Sequence, residues 1–426
     1  MQRLYVLIVV GMRLLGAGTT FLVSLLAARV LGADLAGQFI LSINATLLLA
    51  IVARQGADNL ALKVVAILAN RLQSSEIALF LRRNCARSLR ISVPISAAIF
   101  AFLALSSWPE DQEAYREIWL WMGPTLVFLA IMGILSTTFQ ALDKTLMAIC
   151  FQSLGVNAAV IGALAGGITS PGGLAAVFFL ASVVLVGVGS LEIARSLSRL
   201  HPRAAQVTLE PMPNERGDAR AGRAFWVIAI FQNLQVWGAH YIAGAVLKPA
   251  DLSGLVIAQQ CALVLTLILQ AVIMIYAPRF AVLHREGRLA ELERLYQAVV
   301  LRVTTAVMPV FLLLFLAPGY VLSIFGEEFS EGRLALQILA VGQLLNAMTG
   351  PVGMLLMMTG HEHVYRNMFL IIVPVALLCS VGIGVVFGVI GFAAIVAVTL
   401  ASTNIIATWL VWHRVSISPV PWVTRR

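Results

Sequence analysis

The sequence predicts an all-α polytopic membrane protein of about twelve transmembrane helices, in two six-helix lobes around a central cavity. Two observations lead to this fold class. Hydrophobic residues make up 60% of the 426 residues and charged residues only 12%, against about 45–50% and about 25% in soluble globular proteins. Apolar runs long enough for the roughly 20-residue helix that crosses a bilayer recur from one end of the chain to the other.

The predicted spans are the apolar windows between polar breaks. They cover residues 6–30, 36–57, 87–108, 117–140, 145–168, 173–194, 224–247, 252–277, 298–322, 333–358, 365–387 and 390–412. The first run is too long for the apolar core of a signal peptide and carries Arg13, so we expect an uncleaved span.

The distribution of charge orients these spans. Most of the 29 Lys and Arg residues fall in alternate connecting segments, whereas the segments between them collect acids such as Glu110, Asp111, Glu327 and Glu328. Because basic residues accumulate in cytoplasmic loops, both termini are predicted to lie in the cytoplasm. We therefore expect a multi-pass protein of a bacterial inner membrane.

Two features predict the domain organisation. The longest polar interruption divides the chain into an N-terminal lobe (1–196), a cytoplasmic linker (197–223) and a C-terminal lobe (224–426) with a short cytoplasmic tail. The loop after the first span reads VLGADLAG (30–37), and the loop after the seventh reads VLKPADLSG (246–254). Their similar positions predict a parallel repeat of six spans, a design known from transporters.

Two arginines inside predicted spans are candidate substrate-binding residues. Arg13 lies in the first span and Arg54 near the cytoplasmic end of the second. Charged groups in a membrane are costly and usually face a partner or a water-filled cavity. A guanidinium matches phosphate oxygens with two parallel donors, so an anionic phosphate or pyrophosphate substrate is indicated. For Arg54, pairing with Asp58 or reaching the membrane interface is the structural alternative.

Uncharged polar side chains form a second candidate group. They are Gln232, Asn233 and His240 in the seventh span, Gln259 in the eighth, and Gln38 and Asn44 in the second. Their donors and acceptors suit the hydroxyl groups of a sugar. Hydrogen bonding between helices is the alternative explanation.

Several other classes are not favoured. The net charge of +9 is spread over the loops rather than gathered in one domain, so no nucleic-acid partner is predicted. The HEH sequence at 361–363 lacks the spacing of a helical zinc site, and no GxxxxGK[ST] phosphate-binding loop is present. We expect no metal, no cofactor and no enzymatic activity.

Three segments resemble the polysaccharide-flippase (Wzx-like, O-antigen) branch of the superfamily that also contains multidrug exporters and lipid II flippases. They read LAARVLGADLAGQFIL (26–41), APRFAVLHREGRLAELERLY (277–296) and IFGEEFSEGRLALQILAVGQLLNAMTGPVGMLLMMTG (324–360). The resemblance implies a MATE-like pair of lobes that alternates between inward-open and outward-open states. It also implies that Arg13 and Arg54 line the cavity, as arginines of the first two spans do in the similar lipid II flippases.

The implied function is export of an undecaprenyl-pyrophosphate-linked oligosaccharide for surface polysaccharide such as O-antigen, lipopolysaccharide or exopolysaccharide. Membrane lipid, glycosyltransferases and a polysaccharide polymerase are the expected partners. A cation-coupled multidrug exporter is the first alternative, although such proteins generally need a carboxylate within the membrane and Asp58 is the nearest candidate. A membrane glycan polymerase is the second, but its expected external catalytic loop has no counterpart in the short segment 109–116.

Overall fold

A computed structural model describes residues 2–108, 112–200 and 215–419, and this part of the chain is helical without a β-strand. The α-helices are α1 (Gln2–Arg54), α2 (Ala57–Asn70), α3 (Ser74–Leu105), α4 (Glu113–Ala141), α5 (Thr145–Ile149), α6 (Gly155–Ala165), α7 (Pro171–Leu200), α8 (Glu215–Val246), α9 (Pro249–Arg285), α10 (Leu289–Leu316), α11 (Pro318–Ser323), α12 (Arg333–Thr349), α13 (Val352–Met358) and α14 (Glu362–Arg414). A π-helical turn (Cys150–Leu154) joins α5 to α6, and a 3-10 turn (Glu327–Gly332) precedes α12.

Eight described helical stretches are long and apolar enough to cross a membrane, counting α5, the π turn and α6 as one and not including α8. Helix α12 with α13 forms a further candidate that bends by 41°. Two of the eight, α1 and α14, contain 53 residues each. At a rise of 1.5 Å per residue such a helix would be about 80 Å long, far more than the roughly 30 Å hydrocarbon core. Each therefore has the length of two crossings.

Glycines break both long helices at their middle. Gly32 in α1 (φ 69°, ψ −177°) and Gly388 in α14 (φ 57°, ψ −138°) have backbone angles that other residues rarely adopt. The breaks fall between the predicted first and second spans and between the last two. Dividing α1 and α14 there, and adding the bent pair and α8, would give the predicted number of about twelve, which stays a prediction.

The surface of the helices is apolar where a soluble protein would be polar. Leu105, Leu378 and Val386 are 87%, 75% and 73% exposed. Large apolar surfaces of this kind mark contact with lipid or another protein. Together with the apolar helices they confirm the predicted all-α polytopic fold class.

The chain divides into two compact units. The first contains Met1–Leu31 and Ser42–Ile230. Its central helix is α4, which packs against α2, α3 and α7 and carries buried residues along most of its length. The buried rings of Phe139 and Phe151, 5.0 Å apart, join α4 to the π turn.

The second unit contains Gly32–Leu41 and Phe231–Arg426. Here α12 packs against α9, α10 and α14, and the buried rings of Phe280 and Tyr296 lie 5.4 Å apart. The short segment 32–41 belongs to this unit although its neighbours on both sides belong to the first. The predicted N-terminal lobe included residues 32–41, so the sequence analysis did not anticipate their place in the second unit. The lobe boundaries stay a prediction.

Helix ends differ from the predicted spans mainly next to polar segments. Helix α8 begins at Glu215 rather than 224, and α9 continues to Arg285 rather than 277. Residues 57–70, predicted to be a cytoplasmic connection, form α2, which packs on α4. Of the predicted linker 197–223, residues 201–214 lie outside the described part.

Candidate functional site

Arg13 lies in the first half of α1, beside the π turn. A Cβ at Gly16 would contact the Ser153 hydroxyl, and the Asn157 amide donates a hydrogen bond of 2.8 Å to the Thr20 hydroxyl. The second contact lies four residues after the first in both segments, from Gly16 to Thr20 and from Ser153 to Asn157, so the two segments run parallel. Arg13 precedes Gly16 by three residues, which corresponds to about 4.5 Å of helix, and so lies at the level of Cys150, where the π turn begins.

The Arg13 side chain is half-buried, and its Nε has no hydrogen-bond partner among the described residues. An unpaired cationic nitrogen within an apolar helix is costly unless water or an anion reaches it. π turns interrupt regular helices and are frequent at functional sites. The surroundings of Arg13 are therefore suited to an anionic ligand.

Arg54 has a different environment, although it is in the same unit. Its Nε lies 3.3 Å from the Asp58 carboxylate, and the two side chains are only 17% and 23% exposed. The Nε makes no hydrogen bond, so the interaction is a charge contact without hydrogen-bond alignment. A Cβ at Gly133 of α4 would overlap the guanidinium, so this glycine makes the space that Arg54 occupies. Arg54 therefore pairs with Asp58, which was the structural alternative to substrate binding.

The two polar candidates of the second span are in different units. Gln38 is half-buried in the segment 32–41 of the second unit, whereas Asn44 is half-buried in the first unit and has interactions of its own.

The polar residues at the start of the second unit mostly bond to protein groups. Gln232 is exposed, and Asn233 accepts a hydrogen bond of 3.2 Å from Tyr241. Gln235 is buried and donates to Thr403 on α14. The contacts of Asn233 and Gln235 agree with hydrogen bonding inside the unit, the alternative to sugar recognition, whereas Gln232 is exposed.

His240 and Gln259 are fully buried. Neither ring nitrogen of His240 and neither amide atom of Gln259 has a hydrogen-bond partner among the described residues. The Trp237 ring lies 5.2 Å from the His240 ring, and the Val236 carbonyl is near it one turn earlier. In this conformation both side chains are out of reach of a substrate.

Two polar contacts in the second unit escaped the sequence predictions. The Thr266 hydroxyl on α9 donates a 2.7 Å hydrogen bond to the buried Gln343 on α12. The amide of Gly37 donates one of 2.8 Å to the Ser253 hydroxyl, and a Cβ at Gly37 would overlap the Ser253 backbone. The second contact joins the two predicted repeat copies, so the repeated motif itself was the signal that could have indicated it.

No three His, Cys, Asp or Glu side chains of the described residues are placed to hold a metal ion together. In the HEH sequence, His363 lies 3.7 Å from Glu362, and His361 contacts the Thr359 hydroxyl at 3.1 Å.

Comparison with solved structures identifies the fold. An inward-facing multidrug resistance MATE family transporter of the MOP superfamily matches with a TM-score of 0.69 and 14% identity, over 96% of this chain and 98% of that chain. An outward-facing multidrug resistance MATE family transporter of the same superfamily gives 0.65 and 14%, over 96% and 95%. A superfamily transporter from Pyrococcus furiosus, whose binding pocket is described as having reverse polarity that suggests a different function, gives 0.60 and 13%, over 96% and 95%.

No protein-family model and no curated protein matches the sequence. The structural matches cover nearly the whole length of both chains, so the predicted MATE-like fold is confirmed.

Proposed function

We propose that this protein is a transporter that moves a polyprenyl-pyrophosphate-linked oligosaccharide from the cytoplasmic to the periplasmic leaflet of a bacterial inner membrane by alternating access. The observation that carries the proposal is Arg13, a half-buried arginine in an apolar helix whose Nε has no hydrogen-bond partner. A pyrophosphate oxygen would supply the missing acceptor, and the guanidinium would supply a charge and a planar pair of donors.

The fold supports the transport cycle in this proposal. Solved proteins with the same fold are described in inward-facing and outward-facing conformations. A chain of this fold can therefore be expected to expose a bound headgroup first to one side of the membrane and then to the other. The glycosyltransferases that build the glycan and the polymerase that extends it would act before and after this step.

Charge favours an anionic substrate over a cationic drug. The spans hold almost no carboxylates away from their ends, and Asp58 is already in contact with Arg54. The related transporter from Pyrococcus furiosus, with its reverse-polarity pocket and suggested different function, offers a parallel within the superfamily. Within the first unit, Arg13 would bind the pyrophosphate, and Arg54 would add positive charge if Asp58 is displaced.

A multidrug exporter is the second candidate, because other proteins of this fold are multidrug resistance transporters. In that case the Asp58 carboxylate, released from Arg54, would be the group that binds a cation. Altered drug tolerance without any change in surface glycan would favour this candidate.

The test compares substitutions at Arg13 in a strain that lacks the gene. Wild-type protein should restore surface polysaccharide, and Arg13→Ala should reduce transport at least tenfold. Arg13→Lys should retain part of the transport, because lysine keeps the positive charge but lacks the planar pair of donors of the guanidinium. The readouts are surface glycan and lipid-linked glycan on the cytoplasmic side.

Arg302→Ala is the matched control, since Arg302 is also in a membrane helix but hydrogen-bonds to Tyr276 at 2.8 Å. We expect it to transport normally. Normal transport by Arg13→Ala, at wild-type protein levels, would contradict the role of Arg13.

A further inference from the structure

An open groove of about 470 Å³ lies between α9 and α10 in the second unit, next to the short connection between these helices. Its lining side chains are Arg279, Val282 and Leu283 on α9, and Glu291 and Leu295 on α10. We call it the α9–α10 groove. A volume of this size is typical of ligand pockets. The connection is predicted to be cytoplasmic, so we expect the groove at the cytoplasmic surface of the membrane.

A second open groove of similar volume has a different lining. It measures about 450 Å³ and lies between α3 and α4 in the first unit. None of its described lining residues is charged, and Val93, Phe100 and Leu120 are among them. Such a groove can hold an acyl chain but cannot select a charged headgroup. The charged side chains of the α9–α10 groove set it apart.

Arg279 is the cation that the α9–α10 groove offers to a ligand. Its side chain is exposed, and no ion pair or hydrogen bond within the described part of the chain involves it. The Glu291 carboxylate is already occupied, because the Arg288 guanidinium donates hydrogen bonds of 2.9 and 2.6 Å to its two oxygens. The groove therefore presents an uncompensated positive charge. A guanidinium of this kind suits a phosphate, whose oxygens accept two parallel hydrogen bonds.

The faces that line the groove continue along both helices toward the membrane interior. Along α9, Tyr276 lies three residues before Arg279. Along α10, Arg302 lies seven residues after Leu295. These spacings place Tyr276 and Arg302 on the lining faces of their helices. The Arg302 guanidinium donates a 2.8 Å hydrogen bond to the Tyr276 hydroxyl, and this contact marks the inner end of the groove.

Beyond this contact the same face of α10 becomes an exposed, mostly apolar stripe. Thr305, Pro309, Leu312 and Leu316 follow Arg302 at intervals of three or four residues, and all four are exposed. The stripe thus continues the groove along a helix that is long and apolar enough to cross a membrane. A soluble anion would leave this surface unused. The acyl chains of a lipid would lie along it while the headgroup occupies the groove.

The level of Arg279 matches that of lipid headgroups. The rings of Phe280 on α9 and Tyr296 on α10 lie 5.4 Å apart, which places Arg279 level with about residue 297 of α10. The predicted span of α9 ends at 277, and that of α10 begins at 298. Arg279 is therefore at the predicted boundary between the hydrocarbon core and the headgroup layer.

We propose that the α9–α10 groove binds the headgroup of an anionic phospholipid, with its phosphate on Arg279 and its acyl chains along the exposed stripe of α10. Val282, Leu283 and Leu295 lower the local dielectric constant and so strengthen the charge contact. Basic pockets between membrane helices on the cytoplasmic side suit such headgroups. This inference goes beyond the proposed function, because the ligand is a constituent of the membrane and not the transported substrate.

The test compares phosphatidylglycerol, which is anionic, with phosphatidylethanolamine, which is zwitterionic, at matched acyl chains. Each lipid is titrated into purified, delipidated full-length protein in detergent, and native mass spectrometry gives the bound fraction. We expect phosphatidylglycerol to bind about fivefold more tightly, the contribution of one basic residue at a membrane surface. Arg279→Gln should remove this preference by weakening the binding of phosphatidylglycerol.

Arg285→Gln is the matched control. Arg285 is also exposed on α9 and has no ion pair in the described part, but it does not line the groove, so the preference should remain. Val282→Trp tests the groove itself. It fills the space at a position that is 52% exposed without changing any charge, and it should also weaken phosphatidylglycerol binding.

Equal affinities of the wild-type protein for the two lipids would overturn the proposal. An equal loss of preference in Arg279→Gln and Arg285→Gln would also overturn it, because general surface charge would then explain the binding. The wild-type comparison needs no substitution, so a folding defect in a variant does not remove the test. No lipid-linked oligosaccharide is present, so the result is independent of the proposed transport function.

Discussion

The two membrane arginines have the same chemistry but opposite environments. Arg54 touches the Asp58 carboxylate, whereas the Arg13 Nε faces no acceptor in the described part of the chain. The desolvation cost of Arg54 is offset in part by its partner, and that of Arg13 is not. The sequence analysis could find both residues, because a charge in an apolar run is visible. It could not decide which arginine is the better candidate for binding a substrate, since this depends on the neighbours that each side chain has in the folded protein.

Gly133 tests the placement of Arg54. Replacing it with Ala would put a methyl group where the guanidinium lies, so Arg54 would have to move away from Asp58. Overpacking of this kind costs about 1–3 kcal/mol. We expect Gly133→Ala to lower the melting temperature of the detergent-solubilised protein.

Gly162→Ala is the control for this substitution, because a Cβ at Gly162 would meet nothing within 4 Å. It should be neutral or slightly stabilising, since alanine favours a helix over glycine by roughly 0.8–1 kcal/mol. Equal melting temperatures for the two variants would show that Arg54 does not occupy the space beside Gly133.

At the scale of elements, the repeated motif has unequal geometry in its two copies. The first copy bends at Gly32 inside one long helix, whereas the second has a true connection at Lys248 before α9. Gly37 and Gly254 occupy corresponding positions of the two copies but have different surroundings. A Cβ at Gly37 would overlap the Ser253 backbone, whereas a Cβ at Gly254 would meet no atom within 4 Å. Similar sequences thus form the same helix–break–helix unit with different packing.

Gly37 and Gly254 therefore make a matched pair of substitutions. We expect Gly37→Ala to displace the segment 32–41 from α9 and to destabilise the protein by about 1–3 kcal/mol, from overpacking. Gly254→Ala, with no atom within 4 Å of its Cβ, should be neutral or slightly stabilising, as at Gly162. Thermal unfolding followed by tryptophan emission measures both. Similar losses in both variants would contradict the close contact of Gly37 with Ser253.

The sequence could predict most helices but not all of their packing. Hydropathy located the helical segments and the breaks at Gly32 and Gly388, because both depend on local composition. It missed α2, since this short helix is stabilised by packing on α4 rather than by a membrane-length apolar run. It also gave no indication of the π turn at 150–154, because an extra residue in a helical turn leaves no clear hydropathy signal.

At the scale of the whole molecule, the assignment of segment 32–41 to the second unit could not be predicted. It depends on contacts such as Gly37 with Ser253 and Leu41 with Gly244, which join residues more than 200 positions apart in the chain. The MATE-like fold was predictable in outline because three segments of the sequence resemble the polysaccharide-flippase branch of the superfamily that also contains multidrug exporters. The proposed substrate depends on polar groups that the fold leaves without a partner, and Arg13 is the one that carries the proposal.

The most direct measurement of the central proposal is flipping in vesicles that contain only this protein and an undecaprenyl-pyrophosphate-linked oligosaccharide with a fluorescent glycan. A membrane-impermeant quencher added outside reports the fraction of glycan in the outer leaflet over time. The proposal predicts that wild-type protein lets the quencher reach nearly all of the glycan, whereas Arg13→Ala leaves the inner-leaflet half protected. Protection of that half in wild-type vesicles, at the level of protein-free vesicles, would contradict it.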